Sequence, residues 1–294
     1  MMRNWLIVIM VAIGALVSQG TDRALLVGVG NYPAGSGWER LCSAGDVELL
    51  KPALQRRGFV VMTLTDAQAT HRGIVTALQR LTRQCQAGDT VLVHLSCHGQ
   101  QVEDLNGDEP DGLDEAIIPY DAQRRYSKRY HGQNHLLDDE LNTHLVAMRK
   151  RLGAKGMLLL TVDACHSGDA YRNGGDEVVT DSLVGTRRGV SDVFCKKPPY
   201  VRRKRSGGLH FEAKTRGQGY SRVVAVGACQ PDQCNYETVV TTRRGRKSYG
   251  TLSYMLWHGL QRDGRLDLRE LGHWLVTYKS LYMTRYQQPH LFEE

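Results

Sequence analysis

Short apolar runs alternate along the chain with stretches whose apolar residues recur at helical spacing. The runs are Ala24-Leu-Leu-Val-Gly-Val-Gly30, Phe59-Val-Val-Met-Thr-Leu64, Asp89-Thr-Val-Leu-Val-His-Leu-Ser96, Gly156-Met-Leu-Leu-Leu-Thr-Val162 and Ser221-Arg-Val-Val-Ala-Val-Gly-Ala-Cys229. Runs of this length, rich in β-branched residues, read as strands buried on both faces. Between them, Asp46 to about Arg57 reads as a helix with Asp46 as its cap, Pro52 awkward inside it and Gly58 ending it. Thr70 caps a second helix, which carries Ile74, Leu78, Leu81 and Cys85 on one side. Asp138-Asp139-Glu140 opens a third, with Leu141, Leu145, Met148 and Leu152 on one face, its acids at the positive end and Arg149-Lys-Arg151 at the negative end. Residues 249–260 and 267–278 are amphipathic, and Asp267-x-x-Glu270 has the form of a capping box. The acidic stretch from Glu103 to Glu115 reads as a hairpin with a polar tip. Strands alternating with helices predict an α/β fold, a three-layer sandwich on a mainly parallel sheet. Residues 169 to about 220 break the pattern. They are rich in glycine, arginine and lysine, and they predict an exposed, mobile connection.

Composition narrows the class. Of the 294 residues, 41% are hydrophobic and 23% charged, which suits a globular chain rather than a disordered one. The formal net charge of +7 is concentrated in Arg202-Arg-Lys-Arg205 and Arg243-Arg244-Gly-Arg246-Lys247. Such runs can bind nucleic acid, but solvated loops are the simpler reading, and no nucleic-acid partner is expected. The N-terminus stands apart. Arg3 precedes an uncharged run from Trp5 to Val17, and Ser18-Gln-Gly20 offers small residues for cleavage. Residues 1–20 therefore read as a signal peptide, too short in its apolar run for a membrane span, and the rest as secreted or periplasmic. In an exported chain six of the seven cysteines could pair, leaving Cys165 out; Cys42, Cys85 and Cys97 read equally well as buried apolar residues.

Two runs end in chemistry. One delivers His98-Gly99, the other Asp163-Ala-Cys165-His-Ser-Gly168. In an open parallel sheet, functional groups gather at the carboxyl ends of strands. Neighbouring strands would then bring a thiol nucleophile and its base into one crevice. The N–H groups of Gly99 and Cys165 are the natural donors to the oxyanion, since glycine permits close backbone approach. A Gly28/Gly30 dinucleotide loop is the weaker reading, because Pro33 replaces its third glycine. A zinc site from Cys97, His98, Cys165 and His166 matches no usual spacing.

At these residues the chain resembles the caspase-like cysteine peptidases, and most closely their metacaspase branch, including its bacterial members. Supporting matches are Gly107-Asp-Glu-x-Asp-Gly-x-Asp-Glu115, Asp138-Asp139, Asp232-Gln233 and Gln288-Pro289. The resemblance implies a six-stranded caspase-like sheet and one peptidase domain over residues 21–294. Within it, the large-subunit segment would span about 21–185, a basic processing linker about 186–220, and the small-subunit segment about 221–294. It implies peptide or protein substrates cut after Arg or Lys, with Cys165 as nucleophile and His98 as base. Asp163, joined by Asp46 and Asp232, would line the pocket for the basic residue. It implies a zymogen that cuts itself in the linker, within Arg202, Arg203, Lys204 and Arg205. No cofactor is needed for the chemistry, but the family's calcium would fall at Asp138 and Asp139; where the family has another ligand this chain has Arg172, with Asp169 nearby. Two other readings stay open: a catalytically silent binding or scaffold protein on the same fold, and a nucleic-acid binder.

Overall fold

The structure, a computed structural model, describes residues 20–107, 112–165, 184–190, 192–196, 219–230, 233–242, 245–278 and 287–294. In chain order the elements are β1 (Arg23–Gly28), α1 (Ser43–Arg56), β2 (Val60–Thr65), α2 (His71–Gln84), β3 (Thr90–Ser96), β4 (Gly99–Glu103), β5 (Leu113–Ile117), β6 (Leu136–Leu137), α3 (Asp138–Leu152) and β7 (Met157–Asp163). There follow β8 (Val184–Arg187), β9 (Arg222–Gly227), β10 (Tyr236–Thr242), β11 (Gly245–Gly250), α4 (Thr251–Leu260), α5 (Leu268–Thr277) and β12 (His290–Glu293).

The central sheet has six strands in the order β12-β9-β7-β3-β1-β2. All neighbours run parallel except β12, which lies antiparallel on β9. This is the mainly parallel caspase-like sandwich read from the sequence. Side chains alternate faces along each strand. On β7, Leu158, Leu160 and Val162 join the cluster under α2 and α3, which includes Ile74, Leu78, Leu145 and Met148. Leu159 points the other way, toward Leu50 and Leu54 of α1, Leu256 of α4 and Leu271 of α5. Both faces are thus dry, and this is why the strands are apolar without alternation. Two three-stranded sheets flank the core, in the orders β4-β5-β6 and β11-β10-β8.

Local signals mostly hold. Thr70 Oγ1 accepts the Gly73 N–H at 3.0 Å and caps α2. Asp267 accepts from the N–H groups of Arg269 and Glu270 at the start of α5. Asp46 is a departure: α1 starts three residues earlier, behind Cys42, so Asp46 is no cap and Pro52 lies inside the helix. The helix meets β1 closely there. A Cβ on Gly28 would stand 2.4 Å from the Ser43 carbonyl oxygen, so packing alone demands glycine. A second departure is β8, a strand inside the stretch read as structureless. β10 and β11 also lack a sequence signal, because they are half-exposed and polar. None of the seven cysteines forms a disulfide: Cys85 and Cys97 are buried apolar residues, whereas Cys42 is exposed. Of residues 1–20, read from the sequence as a signal peptide, 1–19 lie outside the described residues. Among the described residues, no helix is long and apolar enough to cross a membrane.

Leu160→Ala should cost about 2–5 kcal/mol, because the cavity opens between β7 and the α2–α3 layer. Thr70→Ala should cost about 0.5–2 kcal/mol, because only one cap is lost. Urea midpoints of the two variants, read with unchanged slope, check the order.

Candidate active site

The site forms where β3 and β7 end side by side. Ser96 pairs with Asp163 in register, and the Cys97 N–H reaches back to the Asp163 carbonyl at 3.4 Å. Two residues further along each strand stand His98 and Cys165, at the same level of the sheet. Sequence spacing and topology therefore agree on the pair.

His98 is clamped. Its Nε2 lies 2.9 Å from the Glu39 carbonyl oxygen, its ring stacks on Trp38 at 5.2 Å and tilts against Tyr32 at 5.4 Å. The clamp is itself anchored: Tyr32 Oη accepts the His98 N–H and donates to the Ile118 carbonyl, while the Trp38 indole donates to the Ala122 carbonyl. A carbonyl can only accept, so Nε2 carries the hydrogen and Nδ1 keeps its lone pair. Nδ1 is buried and, among the described residues, has no hydrogen-bond partner. Burial pushes the imidazole down to about 4, against the opposing pull of the Glu39 carbonyl, so the ring is a neutral base at neutral pH.

Cys165 is fully buried, and its Sγ donates to the Gln233 carbonyl at 3.3 Å. The thiols of Cys229 and Cys234 both bond to it; that bond, with burial, pushes both of them up, so they remain thiols. What covers Cys165 is the segment after β8. The N–H groups of Gly99 and Cys165 both donate to one acceptor, the Arg188 carbonyl oxygen, at 3.1 and 3.3 Å. Gly189 lies so close that a Cβ there would be 2.2 Å from the Cys165 carbonyl oxygen and 2.7 Å from its Cβ.

The Arg188 side chain runs inward and is completely buried. Its Nη2 lies 2.8 Å from Asp46 Oδ2 and 3.2 Å from Glu237 Oε1, and its Nη1 lies 3.8 Å from Asp163 Oδ1. Nη1 also donates to Ser96 Oγ and to the Asp163 carbonyl. Burial opposes the guanidinium charge, but Asp163, Asp46 and Glu237 together outweigh it and hold Arg188 charged. The carboxylates are fixed from outside as well. Asp163 accepts from Asn235 at 2.8 Å and from the N–H and hydroxyl of Ser253, and Asp46 accepts from Ser96 Oγ and the Gly250 N–H. Burial pushes Asp46 up to about 6, with Arg188 pulling it back down and Asp163 adding to the rise. Burial would raise Asp163 too, but Arg188, Asn235 and Ser253 outweigh it and leave its carboxyl low. Gly250 forms the wall: a Cβ there would be 2.2 Å from Asp163 Oδ2 and 2.7 Å from Arg188 Cζ.

Cys165, His98, Gly99, Asp163 and Asp46 thus converge on one segment. Asp46 makes the shorter ion pair and Asp163 the longer, the reverse of the weight their motifs carry. Asp232 and the Arg202, Arg203, Lys204, Arg205 run lie outside the described residues, as do His166, Asp169 and Arg172. Glu237, Ser253, Trp38 and the Glu39 carbonyl had no signal in the sequence, because each is single and far along the chain from the motifs. Asp138 and Asp139 lie apart, at the start of α3, where Asn106 donates to Asp139 and the Asp139 N–H to Asp138. Calcium takes six to eight oxygens. Among the described residues no group of three or more His, Cys, Asp or Glu side chains could hold a metal ion; residues 108–111, Asp169 and Arg172 lie outside the described residues.

Comparison with known proteins bears on this arrangement. Residues 22–172 match a family model described as metacaspase, peptidase C14 domain. Metacaspase-1 of Mycosarcoma maydis is 34% identical over 187 residues, which are 58% of this chain and 43% of that protein. Metacaspase-1 of Pyricularia oryzae is 36% identical over 161 residues, 51% of this chain and 37% of that protein. The chain thus spans less than half the length of these relatives. Among solved structures, a Geobacter sulfurreducens protein superposes with a TM-score of 0.59 at 22% identity, covering 93% of both chains. Caspase-1 of Spodoptera frugiperda gives 0.50 at 15% identity, covering 93% of this chain and 86% of that one. At such identities these two speak for the fold alone. With a family model over half of its length, this chain belongs to the metacaspase family of cysteine peptidases.

Proposed function

We propose that this chain is a cysteine endopeptidase that hydrolyses peptide bonds after Arg or Lys, using Cys165 and His98 as a dyad, and that it cuts its own basic linker. The observation that carries the reading is the pose of Arg188. Its guanidinium fills a pocket of three carboxylates while its carbonyl lies between the two N–H groups beside the thiol.

The chemistry follows from these positions. His98 Nδ1 takes the Cys165 proton, and the sulfur attacks the carbonyl carbon. The Gly99 and Cys165 N–H groups hold the oxygen as it becomes negative. His98 then gives its proton to the leaving amine, and water hydrolyses the thioester and restores the thiol. The acidic pocket selects the residue before the bond. A buried carboxylate set without a cation pays its desolvation with no ion-pair gain, so the pocket favours Arg, whose planar fork reaches two acids at once, over Lys. Asp232 would add to it. Peptide or protein substrates with exposed Arg or Lys are the implied partners, in the secreted or periplasmic space if the N-terminal leader works as read. Calcium enters none of these steps, and hydrolysis measured with chelator and with added calcium tests the resemblance at Asp138 and Asp139.

Cys165→Ala and His98→Ala should each remove most turnover of an Arg peptide, because nucleophile and base act as one unit. The measurement is kcat/KM, with circular dichroism confirming the fold; near wild-type turnover in the cysteine variant would sink the reading.

Asp46→Asn, Asp163→Asn and Gly250→Ala should raise KM for Arg peptides, by roughly tenfold or more each. The first two remove a charge, and the third fills the pocket with a methyl. Asp46 stands at about 6 with a guanidinium beside it, so as pH falls toward that value it takes up a proton, the pocket loses one charge and KM should rise on the acid side. Asp46→Asn should flatten that limb. A wild-type preference for Asp before the cut bond would overturn the pocket assignment.

A further inference from the structure

We propose that the bond this chain cuts in itself is Arg188–Gly189, and that residues 184–189 hold the site closed until it is cut. The inference rests on the peptidase reading above and names the substrate the site already holds.

Four observations meet at this bond. The main chain approaches as an added strand: β8 pairs antiparallel with β10, with Arg187 opposite Tyr236, and the Arg188 N–H donates to the Asn235 carbonyl at 2.9 Å. Extended pairing of this kind is how peptide segments dock on a sheet edge. The Arg188 carbonyl oxygen accepts from both Gly99 and Cys165. The Arg188 side chain ends among Asp46, Asp163 and Glu237. On the other side of the bond, the Gly189 backbone lies against Cys165 where no side chain would fit. A merely structural ion pair accounts for the side chain. It gives no reason for the carbonyl to sit between the two N–H groups next to the thiol.

Complete burial decides who does the cutting. Arg188 is 0% exposed, so an outside protease cannot reach the bond, whereas Cys165 is in contact with it. The step is therefore intramolecular. Cys165 Sγ bonds to the Arg188 carbonyl carbon, its proton passing to His98; the Arg188–Gly189 C–N bond breaks and the Gly189 amine takes that proton. Water then hydrolyses the thioester and leaves an Arg188 carboxylate. The fragments end at Arg188 and begin at Gly189. They stay joined, because β9 of the second fragment lies between β7 of the first and β12. Downstream of the cut, Phe194 remains bound to Gln101 and Glu103 through backbone bonds. Only the short β8 tail needs to peel from β10 for the pocket to open.

The test is intact mass under denaturing conditions and N-terminal sequencing of the full chain during incubation, beside hydrolysis of a small Arg peptide. Wild type should give a fragment starting at Gly189, with a half-time unchanged by tenfold dilution, and peptide hydrolysis should rise after a lag. Cys165→Ala should stay whole. Arg188→Gln should lower cutting at this bond by roughly a hundredfold or more, yet hydrolyse the peptide without the lag. Arg188→Lys keeps a cation in the pocket and should still be cut, which separates lost recognition from lost folding. Replacing Arg202, Arg203, Lys204 and Arg205 by Gln should leave the Gly189 terminus in place. In wild type, peptide hydrolysis with the chain whole, or with the chain cut only within 202–205, would overturn this inference and leave the peptidase reading standing. Neither peptide nor chain being cut would overturn both.

Discussion

The burial of one guanidinium among three carboxylates is the constraint on which the rest of the site depends. Asp46 comes from α1, Asp163 from the end of β7 and Glu237 from β10; Ser96 ends β3, and Ser253 on α4 holds Asp163 from behind. The cluster therefore ties together elements from both ends of the chain. Taking four charges out of water is costly, and the arrangement persists because each carboxylate also accepts from a fixed donor: Ser96 and the Gly250 N–H on Asp46, Asn235 and Ser253 on Asp163, the Cys42 N–H on Glu237. Asp46 records the residual strain of like charges: burial, with Asp163 nearby, lifts its carboxyl to about 6 even with Arg188 beside it. Remove the cation and the remaining acids repel one another in a dry pocket. Such a pocket is shaped by what it must hold.

The same segment links that pocket to the chemistry. Because Arg188 is anchored by its side chain and paired through its N–H, its carbonyl has one place to go, between Gly99 and Cys165. The buried guanidinium and the carbonyl beside Cys165 belong to one piece of backbone. His98 is set independently, by a carbonyl and two aromatic rings rather than by a carboxylate. That choice keeps the imidazole neutral and fixes its tautomer without adding another charge to a site already rich in acids.

A parallel sheet explains why these parts could meet at all. Strand ends on one side of the sheet are splayed by crossover connections, which leaves room there for loops to bring groups together. The thiol and imidazole stand two residues beyond paired positions of β3 and β7, so register brings them to neighbouring strand ends and the contacts beyond those ends orient their side chains.

The alternation of apolar runs with helical spacing was enough to predict the sandwich, and the ends of two runs were enough to single out Cys165, His98 and Gly99. Those features are local: period, cap and strand end are written within a dozen residues. Asp163 was legible through the resemblance, which puts the matching aspartate in the pocket for the basic residue. Asp46 carried two meanings in the sequence, cap or pocket, and the fold, by starting α1 at Ser43, removed the cap and set it against Arg188. Glu237 was invisible as a partner, and nothing local set Arg188 apart from the other basic residues of its stretch. Each is one polar residue in a polar stretch, and their meaning comes from contacts 49 to 142 residues apart along the chain. Periodicity registers which face of an element is dry; it holds no information on which distant charges must neutralise one another. That was decided when the sheet closed and left Arg188 nowhere else to put its charge.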